Sequence, residues 1–151
     1  MTELATEHLF DISVEVAPPL DLRQADATGR LVVPVTGGRF DGPRLSGRIE
    51  PGAADWIVAG RGFARMNVNI VLRCDDGALI GMRYRGVNTI GDDIRQRIAS
   101  GEDVPASAYY MRTAIFFETA SEQYDWINRL AAVGLGRRTR TTVEYRVLAL
   151  A

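Results

Sequence analysis

Phe63-Ala64-Arg65-Met66-Asn67-Val68-Asn69-Ile70-Val71-Leu72-Arg73-Cys74-Asp75-Asp76-Gly77 is the stretch that decides the fold. Ala64, Met66, Val68, Ile70, Leu72 and Cys74 alternate with Arg65, Asn67, Asn69 and Arg73. A period of two places the first set on one face of a strand and the second set on the other. Asp75-Asp76-Gly77 then supplies the positive-φ glycine that a tight hairpin turn requires. Ala78 to Val87 is the return strand.

Working outward, the same alternation recurs. His8 to Val16 places Phe10, Ile12, Val14 and Val16 on one side, and Pro18-Pro19 ends it. Leu20 to Gly29 reads as a polar loop. Arg30 to Thr36 is a strand with Leu31, Val33 and Val35 on one face, and Pro34 points to an edge or an irregularity. Residues 36–43, rich in Gly, Asp and Pro, read as a turn; Gly37-Gly38 lacks the helix pattern of a phosphate-binding loop. Short strands are expected at Arg44–Glu50 and from Asp55. Tyr109 to Thr119, aromatic and β-branched without Gly or Pro, is a long strand, with Tyr109, Met111, Thr113, Ile115 and Phe117 as its apolar face. Asp92 to Ala99 is a helix, with acids in its first turn and Gly101 beyond its end, covering an opening or edge of the sheet. Ser121 caps a short helical turn. Trp126–Leu135 and Thr142–Leu150 are the last strands. The fold class is mainly β: a single-domain antiparallel β-barrel of about eight strands with one or two short helices over residues 1–151.

Composition bounds the chemistry. The chain has 151 residues, 46% hydrophobic and 25% charged, as a single soluble domain does. Net charge is −1 with a pI near 5.8, so no global basic field attracts nucleic acid. Arg137, Arg138 and Arg140 read as a solvated loop. All 18 basic residues are Arg. Schiff-base catalysis and a P-loop lysine are therefore excluded for the side chains. One Cys (Cys74, a small core hydrophobe) and one His (His8) preclude an internal disulfide and a Cys/His zinc site, so no metal and no cofactor are expected. Met1–Leu9 lacks a secretory pattern, and no apolar run approaches the ~18 residues of a membrane span. The expectation is a cytoplasmic protein without membrane or nucleic-acid partners.

Several motifs together carry a resemblance. Val33-Pro34-Val35-Thr36-Gly37-Gly38-Arg39-Phe40-Asp41-Gly42-Pro43, Gly52-Ala53-Ala54-Asp55-Trp56 and Asp75-Asp76-Gly77-Ala78-Leu79-Ile80 resemble the DUF3237 family, also catalogued as UPF0311. Tyr109–Thr113, Phe117–Thr119 and Trp126–Arg129 are similar to its carboxy-terminal half. The resemblance spans nearly the whole chain. It implies a small antiparallel β-barrel forming a homo-oligomer, and it implies little about chemistry.

The residues themselves offer candidates. Tyr110 and Arg112 share a strand face about 6.6 Å apart and fit an anion or carbonyl clamp; the alternative is an Arg paired to a cross-strand acid beside a packed Tyr. Glu118 lies on that face, about 20 Å from Arg112. Asp55 beside Trp56 is a candidate general base with an aromatic wall, or an Asp that only satisfies turn donors. Trp126 and Asn128 offer a stacking surface with an amide, against a plain core Trp. Arg85 on the return strand is a further ligand contact. The functional expectation is a barrel that binds a small organic molecule, with cofactor-independent acid/base chemistry of the isomerase, cyclase or lyase type. The alternative is a non-catalytic ligand-binding or interaction barrel.

Overall fold

The structure is a computed structural model and describes residues 2–151. Its strands are β1 (Thr6–Val16), β2 (Leu20–Arg23), β3 (Gly29–Asp41), β4 (Ser46–Ile49), β5 (Ala54–Ala59), β6 (Ala64–Cys74), β7 (Leu79–Asn88), β8 (Met111–Glu118), β9 (Ala132–Arg138) and β10 (Thr142–Leu150), with one helix, α1 (Asp92–Ala99). Successive antiparallel pairs run β1-β10-β9-β8-β7-β6, and β6 then meets β3 through both β4 and β5. The β1–β3 pairing closes the ring. Counting β4 and β5 as one position, the barrel has eight staves, and β2 adds an outer pairing to β3. Closure leaves no long edge to recruit another chain.

Prolines mark where the staves break. Pro18-Pro19 separates β1 from β2, which continues along the same edge of β3. Pro51 lies between β4 and β5, on the opposite edge. β3 itself runs unbroken past Pro34, whose carbonyl accepts from the N–H of Ala17 at 3.0 Å. Two sequence expectations are corrected here. Residues 20–23 form a strand rather than a loop, and residues 36–41 continue β3 rather than turning. The glycines there serve close approach: a Cβ on Gly38 (φ +135°) would sit 2.1 Å from the Ser13 carbonyl oxygen on β1. A third correction concerns Trp126, which lies in a 3-10 turn (Asp125–Arg129), so β9 begins at Ala132.

The alternation now has a direction. The apolar set of β6 and the Met111, Thr113, Ile115, Phe117 set of β8 face inward. At the end of the barrel away from α1, Phe10 packs on Phe40 and Phe117, with ring centroids 5.4 and 6.0 Å apart. Phe10 is 0% exposed. Phe10→Ala is expected to lower unfolding free energy by about 3–5 kcal/mol, as truncated core aromatics do. Urea unfolding, with the midpoint falling at unchanged slope, is the check. At the other end, α1 buries Ile98 over the barrel mouth. Gly101 (φ +90°) then reverses the chain as a helix-terminating glycine does.

Candidate functional site: the polar end of the barrel

The interior changes character toward α1. Asp55, on β5, stands opposite Val33 and Val68, both buried, so its side chain points into the barrel. Its Oδ1 accepts from the backbone N–H of Asn67 at 3.1 Å. Tyr84 lies on the other side of Val68 in the same layer, about 10 Å along the wall. Tyr145 meets Tyr84 edge to face, with ring centroids 5.4 Å apart. Room for the Tyr145 ring comes from Gly136, where a Cβ would fall 2.8 Å from Tyr145 Cε1 and 2.6 Å from Met111 Cγ. The alternation Gly134, Gly136, Arg138 carries the last residue of β9 toward the mouth. Tyr109 Oη accepts from the Arg138 backbone N–H at 2.8 Å.

Arg138 also lines a cavity of about 490 Å³ at the mouth, whose other walls include Val16, Pro18, Pro19, Arg95, Ile98 and Ala99. The volume falls within the range of small-molecule sites, and the wall is mostly apolar with a few convergent polar groups.

The electrostatics follow from burial. Desolvation pushes the Asp55 carboxyl up to about 7, against the Asn67 hydrogen bond and the positive charge of Arg138, which both favour the anion. Burial drives Tyr84 and Tyr145 well above the ordinary phenol range, reinforced by the charge of Asp55. Both tyrosines are therefore neutral donors at any physiological pH. Desolvation lowers Arg138, and Asp55, Tyr145 and Tyr109 oppose that shift. A carboxyl that titrates near neutrality beside a guanidinium and two neutral phenols can hold or release a proton while oxygen charge is stabilised nearby.

The structure separates the residues singled out from sequence. Asp55 is inside. Trp56, its neighbour, points outward and is 50% exposed, with Arg30 over its ring at 5.8 Å; Trp56 and Arg85 line a shallow outer groove. Tyr110 and Arg112 do stand together, the guanidinium 5.2 Å from the ring centroid, but on the outer wall. Glu118 lies on that wall nearer the opposite end, with Arg83 and Phe116. Trp126 is half-buried beneath Arg44, whose guanidinium is 3.6 Å from its ring centroid. Asn128 clamps the backbone N–H and C=O of Thr119 at 2.8 and 3.0 Å. Asp55 is thus the one of these residues in the inner cluster. Tyr84, Tyr145 and Arg138 carry no signal in the sequence, because the tyrosines sit in ordinary core alternation and Arg138 sits in an arginine run. Among the described residues, no group of three or more His, Cys, Asp or Glu is arranged to hold a metal ion. No helix among them is long and apolar enough to cross a membrane.

The profile of the family described as "Protein of unknown function (DUF3237)" matches residues 4–150. The chain belongs to the DUF3237 family. A UPF0311 protein of Clostridium acetobutylicum is 35% identical over 127 residues, covering 83% of this chain and 80% of the relative. A β-barrel-like protein from Acinetobacter baumannii superposes with a TM-score of 0.82 at 33% identity, covering 100% of this chain and 98% of that one. A more distant relative, the hydroalkoxylation enzyme phnH of Penicillium herquei, is 27% identical over 128 residues, covering 85% of this chain and 71% of its own.

Proposed function

We propose that this DUF3237 protein is a cofactor-independent acid/base enzyme acting on a small organic molecule in the barrel mouth. The observation that carries the reading is Asp55: an inward carboxyl whose proton affinity is raised to near neutrality by desolvation. An efficient proton carrier has its pKa near the working pH. Arg138 and the neutral Tyr84 and Tyr145 supply positive charge and phenolic O–H groups for an oxygen that gains charge during the reaction.

The name of the fungal relative adds a reaction type that this constellation can serve. Hydroalkoxylation adds an alcohol or phenol O–H across a carbon–carbon double bond. The Asp55 carboxylate takes the hydroxyl proton, the oxygen forms the new C–O bond as the π bond breaks, and the proton is returned to the other carbon. Atoms and charge balance without an oxidant or a cofactor. The reverse, an elimination, uses the same groups.

A chalcone with a hydroxyl ortho to its ketone, which closes to a flavanone by this addition, is a suitable spectrophotometric probe. The protein is expected to accelerate closure, with kcat/KM rising through about pH 7 as Asp55 loses its proton. Closure no faster than in buffer, across a panel of such hydroxy-enones, sinks the proposal. Recovery of a bound ligand unchanged would point to a binding barrel instead.

A further inference from the structure

We propose that the mouth cavity is an anion subsite, built by Arg95 and Arg138 to hold the carboxylate of an otherwise apolar substrate. The inference rests on the reading of the mouth as the reaction site and adds the chemical class of its ligand.

Arg138 reaches the cavity from the end of β9 and Arg95 from the middle of α1. Among the described residues no acidic side chain forms an ion pair with the Arg138 guanidinium, and Asp55, whose charge favours the cation, acts on it only from beyond ion-pair distance. Arg95 is little better provided. Its Nε is buried without a hydrogen-bond partner, its Nη2 reaches only the Ile90 carbonyl at 3.3 Å, and its side chain is 24% exposed. The nearest acid, Asp92, stands 4.0 Å away and is shared with Arg23 at 3.6 Å.

Two guanidinium groups that share a cavity without a full counter-charge repel one another. Each also forfeits hydration as the wall closes around it. An arrangement of this kind destabilises the empty site and favours an anion that satisfies both. A carboxylate suits it because the planar fork of Arg bonds two oxygens at once. Thr139, Arg140, which is exposed, and Thr141 also line the cavity, while Val16, Pro18, Pro19, Ile98 and Ala99 supply an apolar wall against which the rest of the ligand packs. Cavity, orphan donor and apolar wall agree on an aromatic or branched carboxylic acid.

Calorimetric titration of the intact protein with 1-naphthoate and with its neutral amide, 1-naphthamide, tests this. Naphthoate is expected to bind at least ~10-fold more tightly than the amide, the factor that one charge-assisted pair of about 1.4 kcal/mol provides. Arg95→Gln and Arg138→Gln should each abolish that preference, whereas Arg146→Gln on the outer wall should retain it. Arg95 lies on the covering helix, so its variant keeps the test open if Arg138→Gln does not fold. Asp55→Asn should still prefer naphthoate while losing turnover, which separates failure of the anion subsite from failure of the acid/base reading. Equal affinities, a preference that survives both Gln variants, or no binding of either compound at millimolar concentration overturns the subsite.

Discussion

Replacing Asp55 by asparagine is expected to lower the rate of proton transfer by about 100- to 10,000-fold, the usual contribution of a positioned acid/base group. The substitution is nearly isosteric, and the amide oxygen can still accept from the N–H of Asn67 that now bonds Oδ1 at 3.1 Å. Stability should move the other way. The folded carboxyl keeps its proton up to about pH 7, against 3.8 for the unreshaped group, so its folded-state affinity for the proton is the higher one. The favourable contribution of the protonated form is complete below about pH 4 and is lost as pH rises to about 7. Above that, the wild type carries a desolvated charge that the variant lacks. Asp55→Asn should therefore be the more stable protein at pH 8, by about 1–3 kcal/mol after allowing for partial solvent screening, and the advantage should vanish near pH 4. Denaturant melts at the two pH values, alongside the closure assay, distinguish this from a merely structural Asp. Loss of stability at pH 8 with unchanged turnover would remove Asp55 from the chemistry.

Gly38→Ala is expected to cost roughly 3–5 kcal/mol, combining a non-glycine residue at positive φ with an overpacked contact. The added Cβ would fall 2.1 Å from the Ser13 carbonyl oxygen and 2.8 Å from Ile49 Cδ1. The first obstacle is backbone, so no rotamer change relieves it. The contact lies on the β1–β3 pairing that closes the barrel, where Gly38 faces Val14. The expected outcome is early loss of amide protection in β1 and β3, read by hydrogen exchange, before β6 and β7 open. Gly52→Ala, also at positive φ but with nothing within 4 Å, should cost only the backbone part. Equal costs for the two would show that closure does not depend on the Gly38 approach.

These two positions differ in what their sequence surroundings disclose. Gly38 belongs to a run that local rules assign to a turn, because Gly, Asp and Pro are common there for conformational reasons. In the structure the same glycine lets two backbones cross, a demand set by residues 13–15, distant in sequence. Asp55 was visible as a candidate, yet its proton affinity depends on burial and on Arg138, 83 positions later (138 − 55). Tyr110 and Arg112 are a compact pair by strand spacing and in the structure, but the pair lies on the outer wall with Tyr110 53% exposed.

Periodicity determined that the chain is mainly β and antiparallel with a helix at residues 92–99, because alternation and turn chemistry are local properties of the backbone, while the barrel was favoured over a sandwich by the avoidance of open edges and by the family resemblance. Composition determined that no lysine side chain can take part in any mechanism. Only the tertiary structure decided which face of each strand is inside, since a period of two labels both faces equally. That choice is made by closure, which buries Met111, Thr113, Ile115 and Phe117 and leaves Tyr110, Arg112 and Glu118 outside. Closure likewise gathers Asp55, Tyr84, Tyr145 and Arg138 from four strands into one desolvated cluster. Desolvation depends on what surrounds a group in three dimensions, and no spacing along the chain encodes it.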